Sequence, residues 1–171
     1  MKKFFLCMMC LFALCGYAQK VCTGVCGVKF GDSYYNVGSI LRNKFGMPDD
    51  HNKNEIVYYN KEYAGFHFDR IMFRFQYDTQ GNSYLNKCIM GADSKTSSGA
   101  TDMAYYFAYK LLSSYDMEKG VKVNGFDSYT GGVDPTNRSN NGVAVGIVIY
   151  DDGYYGVGIH YGPYNYVDED F

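Results

Sequence analysis

Apolar and polar residues alternate most clearly between Ala64 and Asp78 (AGFHFDRIMFRFQYD). Apolar side chains recur at every second position at Ile71, Phe73 and Phe75, which predicts a strand with one buried face. The phenylalanines before them alternate with the opposite parity, which predicts a bulge or a short break at Asp69–Arg70. The residues assigned to the opposite, wetter face are Arg70, Arg74 and Gln76.

Two segments carry apolar residues at helical spacing, Asp32–Phe45 and Ala100–Tyr115. The first begins at residues that cap helices, such as Ser33, and stops before Gly46 and Pro48, which favour termination. The second has the wider apolar stripe. We therefore expect two amphipathic helices, each with one face in the core.

Shorter alternating segments predict further strands, and Asp151-Asp152-Gly153 between the last two is a hairpin signal. These strands are Glu55–Asn60, Ser83–Met90, Val121–Tyr129, Gly142–Tyr150 and Tyr154–Gly162, whereas Pro48–Asn54 is predicted as a polar loop. The pattern indicates an α+β fold, an antiparallel sheet of about six strands with two helices packed on one face. Residues 25–91 and 92–163 have a similar order of one helix and three strands, as in a tandem repeat of pattern.

The first 18 residues have the composition of a secretory signal peptide. A basic start at Lys2-Lys3 precedes an apolar run, and small residues before Gln19 suit a signal peptidase. Cys15 leaves a lipoprotein as the alternative, although the leucine before it fits a lipidation motif poorly. We therefore expect a secreted or periplasmic protein with one domain over residues 19–171 and no transmembrane segment after signal removal.

Charge and composition narrow the classes of partner. The 171 residues include 16 Lys and Arg against 18 Asp and Glu, a net charge of −2, with no basic stripe, which argues against nucleic-acid binding. The chain has 19 Tyr and no Trp. Tyrosine combines an apolar ring with a polar tip, so it suits half-exposed surfaces as well as cores.

Three cysteines remain after the signal, Cys22, Cys26 and Cys88. An odd number in an exported protein predicts one disulfide and one free thiol, with Cys88 joined to either Cys22 or Cys26. No cluster of ligands near them indicates a metal site, and no motif indicates a cofactor.

One resemblance to known proteins can be drawn from the residues VKFGDS, FGMP, YAG and FRF, which fall between Val28 and Phe75. The chain resembles small uncharacterised exported proteins of anaerobic Gram-negative bacteria, whose pattern is similar to the β-lactamase-inhibitor-like tandem α/β fold. A small outer-membrane assembly lipoprotein also uses that fold. The resemblance covers mainly residues 28–90 and implies the fold alone, since no binding residue of the inhibitor matches here.

Candidate catalytic groups are few. A thiol-dependent hydrolase would pair Cys88 or Cys26 with His67 or His160 as base. Adjacent carboxylates such as Asp151-Asp152 cannot face each other across a cleft as a glycosidase requires. We therefore do not expect an enzyme, and the thiol hydrolase is the competing hypothesis, beside an envelope-assembly or lipoprotein component.

Tyrosines cluster around the last hairpin, and tyrosine is enriched at protein interfaces. A covered core or a sugar-stacking surface are the alternative uses of these rings. The sequence predicts a non-catalytic module that binds another envelope or extracellular protein through a Tyr-rich sheet face. The candidate binding residues are Tyr150, Tyr154, Tyr155, Tyr161, His160 and Arg74.

Overall fold

A computed structural model describes residues 20–134 and 142–164. The predicted signal peptide, with Cys15, lies outside the described residues. The described part is an α+β fold with two helices and a large antiparallel sheet. No helix within it is long and apolar enough to span a bilayer.

The main sheet has eight strands in the order β3-β4-β5-β6-β10-β9-β8-β7, and β1 and β2 form a separate hairpin. The helices are α1 (Tyr34–Phe45) and α2 (Ser97–Tyr115). The strands are β1 (Gly24–Val25), β2 (Val28–Lys29), β3 (Asp50–Asn52), β4 (Glu55–Tyr63), β5 (Phe66–Tyr77), β6 (Ser83–Ser94), β7 (Glu118–Lys119), β8 (Tyr129–Gly131), β9 (Val143–Ile149) and β10 (Tyr155–Tyr161).

The sheet is larger than the sequence predicts because its edges carry no apolar pattern. Strand β3 lies inside the predicted polar loop, and all three of its residues are exposed. The two-residue strand β7 is also exposed. The predicted strand Val121–Tyr129 is wrong: Val121 is 80% exposed, and the strand begins only at Tyr129.

The helices are arranged differently from the expected pair over six strands. Helix α1 contacts β2, β4 and β6, whereas α2 contacts β6, β8, β9 and β10. Four strands, rather than three, follow each helix, and the two series meet where β6 pairs with β10. The first helix therefore covers strands of the first series, and the second covers strands of the second series together with β6, which both helices contact.

Side chains from the helices and the sheet share one core. Val37 and Leu41 of α1 are buried with Phe107 of α2 and with Phe73 and Met90 of the sheet. We call the side of the sheet that bears these buried residues the core face, and the other side the open face. Period-two alternation decides which residue of each strand reaches which face.

The predicted parity slip is present in β5. Phe68 and Ile71 are both buried in the core, while the two residues between them line the open face. The opposing residue of β4, Asn60, has a φ of +52°, and its pair with Asp69 is missing from the ladder. This local break turns Asp69 and Arg70 to the same side.

Candidate functional site

Three glycines lie side by side on the open face. Arg70 of β5 is paired with Gly91 of β6, Gly91 with Gly158 of β10, and Gly158 with Gly146 of β9. Adjacent strands lie about 4.8 Å apart, so the three glycines form a row about 10 Å long across the sheet. Gly91 and Gly158, with Gly156 of the next row, form the floor of a recess that we call the glycine groove; its volume is about 340 Å³. Gly146 lies beside this floor, outside the residues that line the recess.

The open face is uncovered here because glycines have no side chains. At two of the three glycines in the row, close packing does not explain the choice of glycine. A Cβ at Gly146 would meet no atom within 4 Å, and one at Gly91 would meet only the Arg70 carbonyl oxygen, at 4.0 Å. Glycine weakens a strand interior because it has no side chain to pack. Glycine at these two positions therefore leaves the open face uncovered, at some cost to the stability of the sheet.

One end of the groove is closed by Tyr150. Its ring lies against Gly156, and its hydroxyl donates a hydrogen bond to Asp93 Oδ1 at 3.2 Å. The backbone amide of Asp93 in turn donates to Asp69 Oδ2 at 2.8 Å. Partial burial and the neighbouring Asp93 carboxylate raise the pKa of Tyr150, so this phenol stays protonated. The result is a fixed aromatic wall.

The opposite end is formed by Met72, Ile89 and His160, the next row of the ladder. The His160 ring leans over Gly158: an ideal Cβ there would lie 3.2 Å from His160 Nε2. This packing lowers the pKa of His160, and the positive charge of Lys87 lowers it further. The imidazole is therefore neutral near pH 7 and adds a polar tip to an otherwise apolar end.

The side of the groove nearest β4 carries Tyr59 and Arg70, which are paired across β4 and β5. Tyr59 is 41% exposed. Within residues 20–134 and 142–164, no carboxylate oxygen lies within 4.0 Å of the Arg70 guanidinium. An exposed arginine without an ion-pair partner, beside an aromatic ring, can bind an anionic group of a ligand.

The structure brings only part of the predicted binding set together. Tyr150 and His160 line the groove, and Tyr154 is exposed in the β9–β10 turn without lining it. Tyr161, in contrast to its predicted exposure on the binding face, is 4% exposed and lies on the core face, with its ring centroid 6.1 Å from that of Tyr115. Residues of odd number in β10 point to the core, so Tyr155 is also directed there.

Tyr155 and Tyr161, the two rings on the core side, each pack against another aromatic ring, which accounts for their positions. Tyr155 is half-buried, and its ring makes an edge contact with Phe126 at 5.9 Å.

Arg74 is on the open face but beyond Met72, where its Nε lies 3.7 Å from Glu55 Oε2. It lines an adjoining depression instead of the glycine groove.

The glycines were missed by reasoning on side chains alone. Gly146 and Gly158 both fall inside predicted strands, and an isolated glycine in a strand signals a bulge or close approach by another group. That signal could have marked the site. Their side-by-side placement could not be read from the sequence, because it depends on the register between strands far apart in the chain.

The candidate thiol–histidine pair is separated by the sheet. Cys88 is paired with Tyr161 on the core face, whereas the adjacent His160 is on the open face. His67 is exposed, with its Nδ1 3.0 Å from Glu62 Oε1. The structure therefore does not bring a histidine base to a cysteine in the way the thiol hydrolase hypothesis requires.

The three cysteines are buried free thiols, so the expected disulfide is absent. Burial raises the pKa of Cys22 to about 11 and that of Cys26 to about 12, and the pKa of Cys88 is also raised well above its usual value. The thiolate is the reactive form of cysteine, so all three are poor nucleophiles in the folded protein. In the described part of the chain, no three His, Cys, Asp or Glu side chains are grouped to hold a metal ion.

Comparison with known proteins gives no match to a protein-family model, to a curated protein or to a solved structure. The resemblance to the β-lactamase-inhibitor-like fold thus stays a prediction from the sequence. Any function has to be argued from the groove itself.

Proposed function

We propose that this protein is an exported, non-catalytic binding module that recognises another envelope or extracellular protein through the glycine groove. The observation that carries this proposal is the uncovered glycine floor on the open face, bordered by Tyr59 and Tyr150. Neither helix lies over this face, so the groove is accessible to a partner.

The chemistry of the groove suggests what the partner presents. The glycine floor is flat and leaves room for an apolar or aromatic side chain, which Tyr59 and Tyr150 would contact with their rings. Arg70 would bind a carboxylate next to that side chain. Tyrosine and arginine are enriched where protein interfaces derive most of their binding energy, which supports a protein over a sugar as partner.

The test fills the groove without disturbing the fold. Substitution Gly91→Val places a branched side chain on the floor of the groove, where a Cβ meets only the Arg70 carbonyl oxygen, at 4.0 Å. Valine has a higher strand propensity than glycine, by up to about 1 kcal/mol. We expect an unchanged or higher melting temperature and loss of the partner. The measurement is capture from cell-envelope extracts on immobilised protein, followed by titration with the purified captured protein.

The matched control is Thr130→Val on β8, which introduces the same side chain on the same sheet outside the groove. A second pair compares Tyr150→Ser with Tyr35→Ser, because Tyr35 is 86% exposed on α1 and lies away from the groove. The proposal fails if Gly91→Val captures the same partner with the same affinity as the wild type and Thr130→Val.

A further inference from the structure

A second recess lies where α1 meets the outer edge of the sheet, at the β3–β4 hairpin. Its volume is about 620 Å³. We call it the α1–hairpin cleft, and it is distinct from the glycine groove because no residue lines both. The side chains used below are Tyr34, Arg42, His51, Lys53, Tyr58 and Tyr77.

The charge of this cleft is one-sided. Arg42, His51 and Lys53 line it, and no Asp or Glu does. Within the described ranges 20–134 and 142–164, no carboxylate oxygen lies within 4.0 Å of a side-chain nitrogen of these three residues. Two permanent cations and an imidazole therefore line one cavity. The Asp49 carboxylate acts on Tyr58, but it lies 3.8 Å from Lys61 Nζ and does not line the cleft. The lining thus carries a net positive charge, which favours an anion there.

The walls of the cleft are aromatic and held in position. The ring of Tyr34 packs on Phe75 with a centroid distance of 4.8 Å, and that of Tyr58 packs on Phe45 at 5.3 Å. Arg42 and both rings line the same cleft. Burial raises the pKa of both phenols, and the Arg42 guanidinium opposes this rise.

The hairpin side of the cleft is fixed by backbone contacts. Tyr77 donates a hydrogen bond from its hydroxyl to the Lys53 carbonyl oxygen at 2.6 Å. The amide of Phe75 donates to the Asn54 carbonyl oxygen at 2.8 Å, which ties the β3–β4 turn to β5. A preformed cleft loses less conformational entropy when it binds a ligand.

Gly38 of α1 gives a second, independent indication of a ligand. Glycine in a helix interior lowers stability relative to alanine, so it needs a reason. Close packing is not the reason, because an added Cβ would lie 3.7 Å from Ile56 Cδ1, an ordinary contact. Its missing side chain instead leaves the cleft open along the helix.

We propose that the α1–hairpin cleft binds a small anion carried on a flat ring. Arg42 and Lys53 bind the anionic group, and the tyrosine rings contact the ring of the ligand. This site is independent of partner recognition at the glycine groove, since it lies between α1 and the sheet edge.

The first experiment compares three probes on the purified protein by calorimetric titration: phenyl phosphate, inorganic phosphate and phenol. Phenyl phosphate combines the anion with the ring, and each of the others carries one half of that chemistry. We expect phenyl phosphate to bind at least about tenfold more tightly than either half, which corresponds to about 1.4 kcal/mol. Equal affinity for phenyl phosphate and phosphate, or no binding of phenyl phosphate, would overturn the proposal.

Variants then locate the site. Arg42→Gln is expected to weaken phenyl phosphate binding about tenfold or more, because it removes a charge-assisted contact. Gly38→Leu is expected to abolish binding by filling the cleft, while Gly38→Ala still binds and raises the melting temperature. Lys110→Gln removes a charge from α2 and is the control, with unchanged affinity. Wild-type affinity in both Arg42→Gln and a folded Gly38→Leu would contradict the proposal.

The glycine-groove variant separates this inference from the proposed function. Gly91→Val is expected to bind phenyl phosphate like the wild type while it loses its protein partner. Loss of phenyl phosphate binding in Gly91→Val would place the ligand in the groove and refute the cleft.

Discussion

His160 is the residue whose protonation most directly reports on the open face. Its ring packs over Gly158, and Lys87 lies on the same face two residues from Ile89, the strand partner of His160. Both effects disfavour the imidazolium and lower its pKa below the model-peptide value of 6.5. The unfolded chain therefore binds more protons near pH 6 than the folded one, so protonation of this group destabilises the fold as pH falls.

The prediction at the residue scale concerns Lys87, the charged neighbour of His160. Lys87→Met removes the positive charge, and we expect the pKa of His160 to rise toward its usual value because only the burial contribution remains. The measurement is an NMR titration of the histidine ring protons. Lys110→Met, on α2, is the control and leaves this pKa unchanged. A pKa of His160 that does not move in Lys87→Met would contradict the electrostatic cause.

At the scale of elements, the caps explain where the two helices begin and where α1 ends. Ser33 Oγ accepts a hydrogen bond from the Asn36 amide at the start of α1, and Gly46, with a φ of +85°, ends it. In α2 the cap is Thr96, whose Oγ1 accepts from the Gly99 amide at 3.1 Å. Helix α2 therefore starts three residues before the predicted Ala100.

The Thr96 cap gives a prediction for stability. Thr96→Ala leaves the Gly99 amide without its side-chain acceptor, and we expect the free energy of unfolding to fall by about 1 kcal/mol. The control is Thr101→Ala in the first turns of the same helix, where Oγ1 bonds the Ser97 carbonyl and alanine is the better helix former. Urea unfolding measures both. An equal loss of stability in the two variants would rule out the capping explanation.

At the scale of the whole molecule, the main sheet separates two kinds of chemistry. The core face collects the thiols and buried rings, such as Cys88 beside Tyr161, while the open face carries Arg70 and His160. Because side chains alternate along each strand, adjacent residues of β10 belong to different environments. This separation places Cys88 and His160 on opposite faces of the sheet, and likewise Tyr161 and Tyr150.

The thiols provide the prediction for the folded molecule as a whole. Burial and raised pKa values make us expect no labelling of Cys22, Cys26 or Cys88 by iodoacetamide at pH 8 in the native protein, and complete labelling of all three in urea. Mass spectrometry of the peptides reads each position separately. Rapid modification of one thiol in the native state would revive the hydrolase hypothesis, and two unlabelled thiols in urea would indicate a disulfide.

The sequence predicted the central helices and strands better than the candidate site, and the reason is physical. The central helices and strands were predicted because hydrophobic periodicity and caps are local signals, as in β5 and α1. The exposed edge strand β3 was missed, since its residues Asp50–Asn52 show no apolar pattern and pair only because β4 is beside them. The sequence placed Tyr150 and His160 at the site but could not separate them from Tyr161.

By itself, the sequence determined the α+β class, the two helices and the alternation that gives β5 one buried face. Those features depend on residues within a few positions of one another. Only the tertiary structure decided that Gly91, Gly158 and Gly146 lie in one row and that Arg42 faces the β3–β4 hairpin. Both placements depend on strand register and helix docking, which are set by contacts between residues distant in the chain.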